Sequence, residues 1–159
     1  LHVAEPALKR VGELWAAGEL RVADEHAVSE LTRGKVRALL DGAVAGPRGW
    51  IVLCCVPGER HELGLLTLAA LLHADGWAVL YLGADTPLRE ALALAQANGA
   101  RALCVSATLA ESARAAEPDL AEIEASGLPL LRGGNAYGGE PAGAAVHRVR
   151  LLAESAVPD

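Results

Sequence analysis

Trp50-Ile51-Val52-Leu53-Cys54-Cys55-Val56, running into Pro57-Gly58-Glu59-Arg60-His61-Glu62-Leu63-Gly64, decides the fold of this chain. The first seven residues are apolar without a break. A strand with one wet face alternates apolar and polar residues; a strand with no polar position is covered on both faces, as in a parallel sheet flanked by helices. Pro57-Gly58 ends the run, and residues 62–74 resume at helical spacing.

The same unit then recurs. Residues 77–82 read as a second strand. Pro87 opens a helix through about residue 98, a position where proline is tolerated because a first-turn N–H has no intrahelical partner. Residues 102–106 read as a third strand, 110–125 as a helix, and 128–131 as a short fourth strand. A glycine-rich stretch, 133–139, leads to a final helix and a weak fifth strand near 145–149. This alternation predicts an α/β domain over residues 50–159: a doubly wound, Rossmann-like parallel sheet of five strands. Upstream, Val3, Leu8, Val11, Leu14 and Trp15 follow helical spacing up to Gly18. A second helix is expected over residues 22–40, with Val28, Leu31, Val36, Leu39 and Leu40 as its apolar stripe. Residues 45–49 read as a linker, so residues 1–44 form a separate helical unit.

Composition narrows the function. The 159 residues hold 14 Lys and Arg against 20 Asp and Glu, a net charge of −6, which argues against this segment gripping nucleic acid or an anionic membrane by itself. With no Phe and no Met, the core must be built from Ala, Leu and Val. No apolar run approaches the roughly 20 residues that span a bilayer, and residues 1–10 lack the apolar segment of a signal peptide. Three cysteines in apolar runs give neither a disulfide framework nor a zinc signature, and a cytoplasmic protein is expected. The absence of Met and a start that reads as mid-helix suggest a piece of a longer chain.

In a doubly wound sheet the ligand sits outside the carboxyl ends of the strands. Three loops converge there: 57–61, 106–109 and 132–139. His61 can present one imidazole nitrogen to a ligand while a carboxylate two residues earlier, Glu59, takes the other ring N–H and fixes the tautomer. Gly64, on the first helical turn, removes a side chain where something bulky approaches. Gly133 to Gly139 offers bare backbone to a phosphate or a flat heterocycle. The plainer reading is a solvated loop histidine, a glycine chosen for helix packing and a flexible connection. Neither a Walker P-loop nor a dinucleotide glycine motif is present.

Together the loops say more. Glu59-x-His61-x-x-Gly64, then 41 residues, then Ser106-Ala107-Thr108, then Gly133-Gly134 resembles the vitamin B12-binding domain signature. That pattern reads Asp-x-His-x-x-Gly, about 41 residues, Ser-x-Leu and, within about 30 more, Gly-Gly. Glu59 stands for the usual Asp and Thr108 for Leu. The resemblance covers residues 50 to about 150. It implies that His61 ligates cobalt from below, that Ser106 hydrogen-bonds the displaced dimethylbenzimidazole, and that Gly133 and Gly134 make room for the nucleotide tail.

Trp15, nine residues, then Glu25-His26 looks like the helical cap of the CarH/LitR family of B12-dependent photoreceptors. Glu19-Leu20, Val22-Ala23 and Tyr81-Leu82-Gly83-Ala84-Asp85-Thr86-Pro87 match it further. The resemblance implies that residues 1–44 cap the upper face of adenosylcobalamin, with Trp15, Glu25 and His26 around the adenosyl group. Methylcobalamin and hydroxocobalamin are other forms the site would take. It also implies a light sensor regulating transcription through conformational or oligomeric change, with Arg60 and Asp85 at a head-to-tail homodimer interface and DNA held by a domain outside this chain. Without the resemblance, Trp15 reads as core, Glu25 and His26 as a solvated helix face, and Arg60 and Asp85 as solvated loop charges. Ala16 stands where well-known members carry a histidine, so an upper ligand from that position is excluded. Only two helices of a four-helix cap are visible. No catalytic residue is required, so the chain is not expected to be an enzyme. The alternatives are a corrinoid protein serving a methyltransferase or mutase, and a non-cobalamin domain that binds a nucleotide or only a partner protein.

Overall fold

The computed structural model describes residues 22–41 and 46–155. Helix α1 (Val22–Asp41) precedes strand β1 (Trp50–Cys55). Next come α2 (Leu63–Ala74), β2 (Ala78–Gly83), α3 (Leu88–Ala97), β3 (Ala102–Ser106), α4 (Ala110–Ala125), β4 (Leu130–Gly133), a 3-10 turn (Asn135–Tyr137) and α5 (Ala142–Ser155). The strands pair in the order β2-β1-β3-β4, all parallel, with Ile51 opposite both Val79 and Ala102, and Leu103 opposite Leu130. After β1 the chain crosses to one side and then returns to the other. That reversal opens a crevice between the carboxyl ends of β1 and β3.

β1 is the shared wall of two apolar layers. Ile51, Leu53 and Cys55 face α2 and α5, packing with Leu65, Leu68, Leu72 and Val149. Val52, Cys54 and Val56 face α3 and α4, packing with Leu88, Ala91, Leu120 and Ile123. All six of these positions are fully buried, which is why the run carries no polar residue. Alanines at 69, 91, 95, 113 and 116 line the helix faces and let the helices approach the sheet closely without Phe or Met.

The expected fifth strand near residues 145–149 is corrected: the sheet has four strands among the described residues, and residues 142–155 form α5. Ala145, Val149 and Ala153 bury at a spacing of four, a helical period rather than the alternation of a strand. α5 is fastened by Arg150, which grips the Asp75 carboxylate in two places, one at 2.7 Å. The expected linker is also pinned. A Cβ on Gly46 would meet the Gly76 carbonyl oxygen at 2.3 Å, and the Arg48 amide donates to that same oxygen. The remaining described elements fall within about two residues of their expected bounds, the usual latitude of helix and strand ends. Trp15 and Ala16, and with them the first predicted helix, lie outside the described residues. No described helix is long and apolar enough to cross a membrane.

Candidate functional site at the carboxyl end of the sheet

The loop after β1 turns sharply, with Gly58 at φ +76, and buries Glu59 completely. A buried carboxylate needs partners on both oxygens, and Glu59 has them. One oxygen accepts the backbone N–H of His61 at 2.8 Å and pairs with its Nδ1 at 2.6 Å. The other accepts the N–H groups of Thr108 at 2.6 Å and Leu109 at 2.9 Å. Those two amides open α4, whose N-cap residue Leu109 has no side-chain acceptor of its own. Glu59 therefore fixes the entry to α4 from another loop and meets the positive end of its dipole.

This geometry sets the protonation states. Burial pushes the Glu59 carboxyl up, but the N–H groups of His61, Leu109 and Thr108 and the imidazole outweigh it and hold the group at about 2. An ionised Glu59 accepts a hydrogen bond from Nδ1–H of His61, and in that tautomer the neutral ring carries its lone pair on Nε2. That side chain is 62% exposed, and Nε2 has no partner among the described residues. Burial pushes the Cys54 and Cys55 thiols up to about 12, so neither is a thiolate near neutral pH.

A carboxyl lowered by folding adds stability above its unfolded value and loses it as pH falls through the folded one. In the cofactor-free protein, stability should therefore fall as pH drops from the ordinary value of 4.5 toward about 2. The loss should be about 3 kcal/mol in all. Urea titrations at stepped pH measure it, and Glu59→Gln should flatten that part of the acid slope.

The second loop delivers Ser106, buried at the end of β3, and Thr108, which contacts Glu59 through its backbone N–H. That contact explains why Thr in place of the motif's Leu leaves the arrangement intact. The third loop lies hard against the second. The N–H of Ala107 donates to the Gly133 carbonyl at 3.0 Å, and the Ala107 carbonyl accepts from Ala136 at 3.1 Å. Gly134, at φ +89, leaves no room for a side chain: a Cβ there would stand 2.3 Å from the Ala107 oxygen and 2.9 Å from Ser106 Oγ. Gly133 and Gly64 differ. A Cβ on Gly133 would meet nothing nearer than 3.8 Å, and one on Gly64 nothing within 4 Å.

Arg60 and Asp85 are exposed. Asp85 also braces the loop after β1. At φ +50 it accepts the Gly58 N–H on its carboxylate at 2.7 Å, while its own N–H donates to the Glu59 carbonyl. The structure thus joins Glu59, His61, Thr108 and Asp85 in one network and sets Ser106 against Gly134. Glu25 and His26 lie on the first turns of α1; their side chains, like Trp15, lie outside the described residues.

Sequence reasoning quoted Glu62 and Tyr81 within longer runs and gave neither a role. Glu62 is buried; its carboxylate accepts from Tyr81 Oη at 2.9 Å and from Arg33 Nε, on α1, at 2.6 Å. Glu62, directly after His61, reads in the sequence as an ordinary acidic helix start.

The sequence model of the B12 binding domain family matches residues 49–158, and a second model with the same description matches residues 1–40. The chain is 36% identical over 138 residues to the HTH-type transcriptional repressor CarH of Myxococcus xanthus, covering 85% of this chain and 46% of CarH. It is 44% identical over 85 residues to the repressor CarA of the same organism, covering 52% of this chain and 27% of CarA. It thus spans less than half the length of these curated relatives. Among solved structures it is similar in fold to the methanol:cobalamin methyltransferase complex MtaBC of Methanosarcina barkeri, with a TM-score of 0.63 and 22% identity. That match covers 94% of this chain and 64% of the other. The matched ranges, the crevice between β1 and β3 and the Glu59–His61 pair at its mouth agree: the chain belongs to the B12-binding domain family and, within it, resembles the CarH type.

Proposed function

We propose that this domain binds cobalamin with its dimethylbenzimidazole displaced, His61 giving Nε2 to the lower face of the cobalt. The observation that carries the proposal is the Glu59–His61 pair. A fully buried carboxylate holds Nδ1 at 2.6 Å and leaves an exposed nitrogen with its lone pair outward, the form in which imidazole ligates a metal. One imidazole supplies one bond, so the metal brings its other ligands with it, as a corrin does.

The glycines fit the same group. Gly64 sits on the first turn of α2, and neither Gly64 nor Gly133 has a neighbour that forbids a Cβ. Space left open at both positions suits a bulky ligand. Ser106, beside Gly134, would hydrogen-bond the displaced base, with the nucleotide tail along Gly133 and Gly134.

In our reading residues 1–44 cap the upper face, with Trp15, Glu25 and His26 around an adenosyl group. The domain then serves as the sensory part of a transcription regulator whose DNA-binding part lies outside this chain. Arg60 and Asp85 would join two copies head to tail. The similarity to CarH and CarA supports the regulatory role. Bound here, adenosylcobalamin would supply a cobalt–carbon bond that light can break; the protein's part is to hold, orient and shield it.

Reconstitution with adenosylcobalamin in the dark tests this. The desalted protein should stay coloured with a base-off, histidine-ligated spectrum, and His61→Ala should lose that spectrum. A colourless wild type would overturn cobalamin binding, and an unchanged His61→Ala spectrum would overturn the ligand assignment. A coloured protein whose spectrum and oligomer size ignore green light would reject the sensor and favour a corrinoid carrier.

A further inference from the structure

We propose that Glu62 is a positioning residue that locks helix α1 to the His61 loop, so that the two move as one. Glu62 occupies the N-cap of α2, where an acidic side chain ordinarily turns back to cap its own helix. It makes no such bond. Its carboxylate is divided between two other elements: one oxygen accepts Arg33 Nε of α1 at 2.6 Å, with Arg37 at 3.7 Å, and the other accepts Tyr81 Oη of β2 at 2.9 Å. The Arg33 and Glu62 side chains are 23% and 7% exposed, so this pair is far less screened than a surface ion pair. Arg33 is braced from behind by Glu30 on its own helix.

The part of α1 that leads to the linker is held as well. The helix packs on α2, Leu40 seats on the core layer beside α2 and α5, and beyond it the linker is wedged at Gly46 against the start of β2. From Arg33, residues 22–32 continue away from the linker for about 16 Å of helix. His61 and Glu62 are consecutive, so a shift of the loop backbone at His61 reaches Glu62 across one rigid peptide unit, with adjacent Cα atoms about 3.8 Å apart, and passes through Arg33 into this arm. The inference rests on the reading of His61 as the ligand to cobalt for its biological meaning, but the mechanical coupling belongs to the protein itself.

Hydrogen–deuterium exchange on the full chain separates the two. Without ligand, Arg33→Met and Glu62→Gln should each speed amide exchange in residues 22–41 by about tenfold, as expected for losing one charge-assisted bond from a local opening. The double variant should add little to either, and Arg33→Lys should restore much of the protection; exchange in β3 serves as the fold control. With hydroxocobalamin, wild type should slow in both 57–64 and 22–41, whereas Arg33→Met should slow only in 57–64. Wild-type exchange of residues 22–41 in both ligand-free variants, or additive effects in the double variant, would overturn the coupling whatever cobalamin does. Coupling present without ligand, but no slowing at 57–64 in wild type, would overturn the cobalamin reading of His61 instead.

Discussion

Glu59→Ala should lower the folding stability of the cofactor-free protein by about 3 kcal/mol or more, among the larger effects available to a single polar residue. The reason is the number of donors it serves. Removing the carboxylate strands three backbone N–H groups, those of His61, Thr108 and Leu109, besides the imidazole Nδ1. A stranded donor costs about 1–3 kcal/mol where it stays dry and less where water reaches it, as at the part-buried amides of His61 and Leu109. The α4 N-terminus also loses the anion that meets its dipole. Glu59→Gln should cost less, since its amide oxygen serves one pair of donors while its NH2 faces the other. Urea denaturation at neutral pH would show a lower midpoint with an unchanged slope. A Glu59→Ala loss under about 1 kcal/mol would mean that the carboxylate is not the shared acceptor of these amides.

Gly134→Ala should cost about 3 kcal/mol or more, because two penalties coincide. At φ +89 a side chain is strained in itself, and the new Cβ would overlap the Ala107 carbonyl at 2.3 Å. That oxygen belongs to backbone that also accepts from Ala136, so it cannot yield without releasing the turn that follows β4. Gly133→Ala is the control. Its nearest contact would be 3.8 Å away, at an ordinary φ, so stability should change by less than about 1 kcal/mol while cobalamin retention falls. Thermal melts of both variants, with and without hydroxocobalamin, separate the effects. A wild-type melting temperature for Gly134→Ala would show that the two loops are not pressed together as described.

The sheet was legible in the sequence because its signal is local. Successive apolar residues can lie on two faces of one strand only if both faces are covered, and β1 carries its residues into two core layers accordingly. The segment at 145–149 misled because Ala-Val-His-Arg-Val is too short to carry a period of its own, and Ala145 and Val149, four apart, share a face in a strand as well as in a helix. Packing of Ala145, Val149 and Ala153 against the sheet, together with Arg150 on Asp75, selected the helix.

At the site, spacing along the chain already dictates which loops meet, that Glu59 precedes His61 at a reach suited to Nδ1, and that glycines stand at 64, 133 and 134. Folding adds the rest. The second oxygen of Glu59 holds the amides at a helix entry 49 and 50 residues away, Asp85 holds the same loop from 27 residues on, and Glu62 turns from its own helix to Arg33 and Tyr81. Apolar patterning shows which face of an element is buried. It does not show which polar groups meet when the faces close, because a buried carboxylate takes whatever donors the packed layers bring within reach.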